Sequence, residues 1–340
     1  MQKHVKRIFL LCLCLLLVEA RAFSQDANPD EEGGAQPWVR EAIQKSLALL
    51  ELAAEGSSSN RMCFTCHGQA MPVIAFAVAI EQGFDLNQKG FDKQVEHTYQ
   101  HLRRGRKAYK EGKGQGGGVD TAGYALWTLE DGGRERDEVI NAVMDYIFKK
   151  QKKEGHWQAS SNRPPSEASS FTSTYLALRA VDAFGNKQQF DKAENAKTRA
   201  AKWLQETPAV DTEDTVFALL SGEYAPVENS HLDSLVDRLK SEQNEDGGWA
   251  QTADMESDAY ATGTVLYALH HSGVSSRDPT WQRGIAYLRE AQKPDGSWYV
   301  KSRSKPFQTY FETGFPHGKD QFISTSATAW AALALMYSLD

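Results

Sequence analysis

Gln243-Asn-Glu-Asp-Gly-Gly-Trp249 and Gln292-Lys-Pro-Asp-Gly-Ser-Trp298 are near copies of one another, and Gln151-Lys-Lys-Glu-Gly-His-Trp157 is a looser third. Each follows a stretch whose apolar residues fall three and four apart, as Ile285 and Leu288 do before Gln292, and each precedes a stretch rich in Ala, Leu and Tyr at helical spacing. The Asp-Gly or Glu-Gly step supplies the turn. On that frame the chain divides into six units, 37–83, 91–132, 137–185, 192–224, 230–273 and 279–339, each one helical hairpin. The second helices are expected to open at Asp120, Thr172, Asp214, Asp258 and Ser324, residue types that accept from the first backbone N–H groups of a helix. Small and apolar residues on nearly every face put the second helices inside, and the first helices, charged on one side, outside.

Lys3, Lys6 and Arg7 precede an apolar run from Ile8 to Val18, and Ala22-Phe23-Ser24 is a small-x-small cleavage pattern, so residues 1–24 read as a signal peptide. The run is too short to span a bilayer, which takes about 20 apolar residues, and no later stretch approaches that length. Residues 25–36 are acidic, glycine-rich and apolar-poor, which reads as a disordered lead-in. Residues 37–340 are expected to form one soluble domain, secreted or periplasmic, with no transmembrane segment. The net charge of −7 becomes more negative once the basic leader is lost, which excludes nucleic acid as the expected partner.

The six hairpins resemble the α/α toroid of the terpenoid cyclases and protein prenyltransferases, and Gln-x-x-x-Gly-x-Trp resembles the repeat motif of squalene cyclases. The resemblance covers residues 37–339 and implies an all-α, closed (α/α)6 barrel of six inner and six outer helices. More narrowly, the chain resembles exported bacterial squalene-cyclase-repeat proteins that combine an N-terminal Cys-x-x-Cys-His with stretches such as Ser257-Asp-Ala-Tyr-Ala-Thr-Gly263 and Phe315-Pro-His-Gly-Lys-Asp-Gln321.

Cys63-Phe64-Thr65-Cys66-His67 holds the two cysteines that survive removal of the leader, and it has the spacing of a c-type haem attachment site. In that reading thioethers from Cys63 and Cys66 fix haem c, His67 supplies an axial nitrogen to the iron, and His317, in the long aromatic segment 299–323, is the candidate for the second axial ligand. A Cys63–Cys66 disulfide or redox pair, or a zinc site, stands beside it. The motif occupies the turn that Asp-Gly-x-Trp occupies in later units, hence the barrel mouth. The segment 299–323, with Phe307, Tyr310, Phe311, Phe315 and Phe322, is long enough to cover that mouth. Met71 is read as core, His97 and His101 as solvated groups on an outer helix, and His270 and His271 as the end of the fifth inner helix.

Asp211-Thr-Glu-Asp-Thr215 resembles the Asp-x-Asp-Asp-Thr motif of class II terpene cyclases, whose middle acid protonates an alkene or epoxide. Here Glu213 holds that place, one barrel is present where those cyclases use two, and the sequence reading favours a structural role in which Asp214 caps the fourth inner helix. The expectation is therefore an exported toroid with covalent haem c, serving electron transfer with a redox protein partner or other haem-linked redox chemistry. The alternatives are a barrel that binds or cyclises a hydrophobic isoprenoid, with Glu213 and Asp214 as acids and Tyr124, Trp127, Tyr260 and Trp330 as walls, and a non-catalytic interaction scaffold.

Overall fold

The computed structural model describes residues 30–305 and 309–339, with side chains from Pro37 onward; the leader read at 1–24, the start of the lead-in and Phe307 lie outside these residues. The first helices of the six units are α1 (Asp30–Asn60), α3 (Gln88–Lys110), α5 (Glu138–Lys150), α7 (Phe190–Glu206), α9 (Asn229–Ser241) and α11 (Pro279–Ala291). The second helices are α2 (Met71–Glu81), α4 (Gly118–Asp131), α6 (Ser170–Phe184), α8 (Thr212–Ser221), α10 (Ala259–His271) and α12 (Gln321–Tyr337). Each second helix packs on the next, and α12 packs back on α2, so six inner helices close a ring inside six outer ones. The fold is the (α/α)6 toroid.

The repeated motif builds this ring by tying three helices together. The Trp249 side chain is fully buried; its indole N–H donates to Leu239 O at the end of α9 (2.7 Å), and its backbone N–H donates to Thr262 Oγ1 inside α10 (3.0 Å). Trp298 repeats both bonds, to Leu288 O (2.8 Å) and Thr328 Oγ1 (3.1 Å), and Trp157 repeats them to Ile147 O (2.7 Å) and Thr174 Oγ1 (3.0 Å). The glutamine looks the other way: Gln151 Nε2 donates to Ala196 O of α7 and Gln243 Nε2 to Thr280 O of α11, both at 2.8 Å. In the last unit Gln292 Nε2 reaches Ala42 O of α1 (3.2 Å), which joins the end of the chain to its beginning. The motif glycine permits this approach: Gly296 has φ 94°, and a Cβ there would lie 2.4 Å from Lys45 Cβ.

Several boundaries differ from the sequence reading. Helix α1 already runs from Asp30, inside the segment read as disordered, and α12 starts at Gln321 rather than Ser324. Asp258 caps α10 as expected, accepting from Ala261 N (3.0 Å). The cap of α8 is Asp211, which accepts from Asp214 N (3.0 Å), and the cap of α6 is Ser169, three residues before Thr172. Gly117 precedes α4, where Asp120 was expected to cap. The displaced acids are turned to other work at the mouth.

Candidate functional site

The inner helices begin on one rim, and the Cys63–His67 segment arrives there from unit one. A π-helical turn, Cys66–Ala70, leads into α2 and turns Cys66 and Gln69 inward. Helix α3 clasps the segment from outside. His97 bonds Gln69 Nε2 through Nδ1 (2.8 Å) and Arg61 O through Nε2 (3.1 Å), Arg104 donates to Met62 O, and His101 lies 6.1 Å from the Phe64 ring. The reading of His97 and His101 as solvated outer-face groups is thereby corrected. His101 is buried, and burial pulls its pKa down to about 4.

Cys66, His67 and Met71 form one wall of a slit of about 180 Å³, too narrow for a water molecule, whose other lining residues are Tyr124, Ser166, Tyr260, Ser326 and Trp330. Three of the four aromatics proposed as walls from sequence are on it. The fourth, Trp127, lies parallel to Tyr124 at 6.3 Å and carries the Arg179 guanidinium 4.4 Å above its ring toward the far end of the barrel. Burial, reinforced by the nearby Arg163 charge, lowers the His67 pKa to about 4, so its imidazole is neutral at physiological pH. Burial pushes the Cys66 thiol up to about 12, which makes it inert.

Two carboxyl groups sit behind this slit. Glu213, on the first turn of α8, is 4 % exposed; it accepts from Thr172 Oγ1 (2.8 Å) and from the Tyr260 hydroxyl (3.1 Å). Burial, with the nearby Asp211 carboxylate adding to it, pushes its pKa up to about 8 against the opposing bonds from Thr172 and Tyr260. Asp120, on α4, accepts from Ser173 Oγ, the residue beside Thr172, and burial raises it to about 7. Asp214 is no cap: its carboxylate accepts from Ser169 Oγ (2.7 Å) and Val210 N (3.1 Å), which pins the cap of α6 to the entry of α8. The paired hydroxyls Thr172 and Ser173 and the second acid Asp120 were missed from sequence, although adjacent hydroxyl residues opening an inner helix were a readable signal.

Two rim segments cover the mouth. Arg163 and Glu167 form an ion pair in the loop before α6, next to Ser166, and Ser304 Oγ of the long segment 299–320 donates to Pro164 O (3.0 Å). That segment also takes hydrogen bonds from Asn60 Nδ2 to Glu312 O (3.1 Å) and from Arg61 to Thr309 O (2.7 Å). His317 lies in it, but its Nε2 bonds Ser297 Oγ (2.8 Å) and it does not line the slit with His67. Structure therefore does not bring the two expected axial ligands together.

The attachment residues differ in their surroundings as well. Cys63 is exposed on the surface while Cys66 is buried, engaged by the Thr121 hydroxyl. Cys63, Cys66, His67 and His317 are therefore not gathered round one pocket. Both thiols are free rather than paired, and the described residues hold no cluster of three or more His, Cys, Asp or Glu side chains disposed as a metal site.

Fold and site together define an α/α toroid with buried carboxyl groups at its inner rim. The sequence profile of the squalene-hopene cyclase C-terminal domain matches residues 199–340. The squalene–hopene cyclase of Zymomonas mobilis is 22% identical over 263 residues, 64% of this chain; the match spans 39% of that protein, so the chain corresponds to about two fifths of its length. Among solved structures, the type II terpene cyclase MstE from Scytonema, in complex with the product merosterolic acid A, superposes with a TM-score of 0.58 at 14% identity over 89% of this chain and 97% of its own. A glycosidase superposes as well, with a TM-score of 0.57 at 12% identity over 91% and 99% of the two chains. At these identities the structures show the shared fold alone.

Proposed function

We propose that the protein binds an isoprenoid-class apolar molecule at the mouth of the toroid and acts on it by general acid catalysis from Glu213. The observation that carries this reading is a carboxyl group buried to a pKa of about 8 and hydrogen-bonded to a phenol, Tyr260, that faces the slit. A carboxyl group neutral at pH 7 can give up a proton, and one poised near the working pH does so most effectively. Glu213 itself does not line the slit. In this reading the Tyr260 hydroxyl first turns to the bound molecule and protonated Glu213 donates to the Tyr260 oxygen; as the Tyr260 proton passes to the bound molecule the Glu213 proton passes to Tyr260, which leaves the carboxylate accepting from Thr172 and Tyr260 as in the structure. The aromatic faces of Tyr124 and Trp330 are suited to stabilise positive charge that develops on a protonated alkene.

The resemblance of Asp211-Thr-Glu-Asp-Thr215 to the cyclase acid motif supports the same assignment, as does the likeness to squalene–hopene cyclase. With residues 1–24 read as an export signal, the reaction would take place outside the cytoplasm. The test is incubation of the purified protein with squalene and shorter polyprenyl chains, followed by product analysis. Protonated or cyclised product that disappears in Glu213→Gln and falls in Tyr260→Phe is expected; product undiminished in Glu213→Gln would sink the assignment.

A further inference from the structure

The slit is lined by more polar atoms than a hydrocarbon would need. Trp330 is 1 % exposed, and its indole N–H, a group that donates and cannot accept, has no hydrogen-bond partner; Ser326 Oγ, one helical turn away on α12, is also buried without one. Trp157, Trp249 and Trp298 of the repeated motif each bond a carbonyl through that nitrogen, whereas Trp330 on the slit wall, like Trp281 on α11, does not. Across the slit the His67 ring makes no hydrogen bond among the described residues. Buried polar groups left unpaired are destabilising and are seldom kept without a use. Because the slit is too narrow for water, solvent does not pair these atoms here.

Resting on the isoprenoid reading above, we propose that the bound molecule carries a hydroxyl group, and that Trp330, Ser326 and His67 hold it: the slit is a site for a long-chain prenyl alcohol rather than for a hydrocarbon. A hydroxyl oxygen accepts from the Trp330 indole and the Ser326 hydroxyl, and its hydrogen is donated to the unprotonated nitrogen of His67. An anionic head such as a diphosphate suits the site less well. The cation nearest to it, Arg163, is already paired with Glu167. Met71, flexible and unbranched, is the wall that can yield as the chain enters.

The experiment is titration of the purified protein with farnesol, the matching C15 hydrocarbon and farnesyl diphosphate, read by calorimetry and by tryptophan fluorescence. Farnesol is expected to bind roughly tenfold or more tighter than the hydrocarbon. Ser326→Ala, which removes one oxygen and leaves the helix intact, should erode that preference by roughly three- to tenfold while leaving hydrocarbon affinity within about twofold, and Trp330→Phe should erode the preference as well. Equal binding of alcohol and hydrocarbon overturns the hydroxyl assignment and leaves the isoprenoid reading standing. Tightest binding by the diphosphate overturns it in favour of an anion site. Binding of none of the three overturns both.

Discussion

A glutamic acid in water is ionised at neutral pH, and Glu213 escapes that only because its carboxyl is closed off behind Tyr260 and Thr172. The folded protein holds the Glu213 proton up to about pH 8, whereas the unfolded chain releases it near pH 4.5. Between those values the folded state binds the extra proton, so stability falls as pH rises, and the loss levels off above pH 8. Glu213→Gln removes this slope: in thermal melts at pH 5 and pH 9 the variant should lose less stability than the wild type across the interval, by more than about 1 kcal/mol. Equal losses would mean that the carboxyl is not neutral. The rate of any acid-catalysed reaction should fall through pH 8 as the proton is lost. The cysteines give a second residue-scale test. Cys63, exposed, should alkylate readily in the native protein and Cys66, buried with its thiol pushed up to about 12, only after unfolding. Covalent haem on both, seen as a pyridine haemochrome after co-expression with a maturation system, would contradict the arrangement described and restore the electron-transfer reading.

At the scale of elements, the six hairpins were legible because Gln-x-x-x-Gly-x-Trp performs the same three-helix tie wherever it recurs, and a repeated physical task leaves a repeated sequence. The caps were less legible. Asp and Ser suit both a helix start and a buried network, so residue type alone did not separate Asp211, which caps α8, from Asp214, which braces its neighbour, or from Asp120, whose carboxyl points at Ser173. Asp211→Ala should cost roughly 0.5–2 kcal/mol, measured by denaturant unfolding. The rim segment 158–168 shares no sequence with the segments that follow Trp249 and Trp298, and Arg163, Ser166 and Glu167 therefore gave no periodic signal. The same absence of a repeat hid the pairing of His97 with Gln69, since a histidine on an amphipathic helix faces either way until its neighbour is known. The joint between the last unit and the first includes the place where Gly296 meets Lys45 of α1. Gly296→Ala should destabilise by at least about 1–2 kcal/mol, from the positive φ and the close approach together, while Gly116→Ala, with open space around it, should change little.

The whole molecule is a ring whose halves cannot stand apart, because each would expose the inner helices that the other covers. Cleavage near Pro226 should therefore give no pair of stably folded fragments, and circular dichroism of the intact chain should show helix with a cooperative loss of structure. Ring closure also sets the chemistry: α12 sits against α2 and carries Ser326 and Trp330 into the slit, so the dry surroundings that keep Glu213 protonated depend on the joint between the last unit and the first. An infrared difference titration of wild type against Glu213→Gln measures that protonation directly. A protonated-carboxyl band present in the wild type at pH 7, absent from the variant and titrating near pH 8 is the expected result. A residue 213 already ionised at pH 7, titrating in the ordinary carboxylic range, would contradict the assignment of Glu213 as the acid.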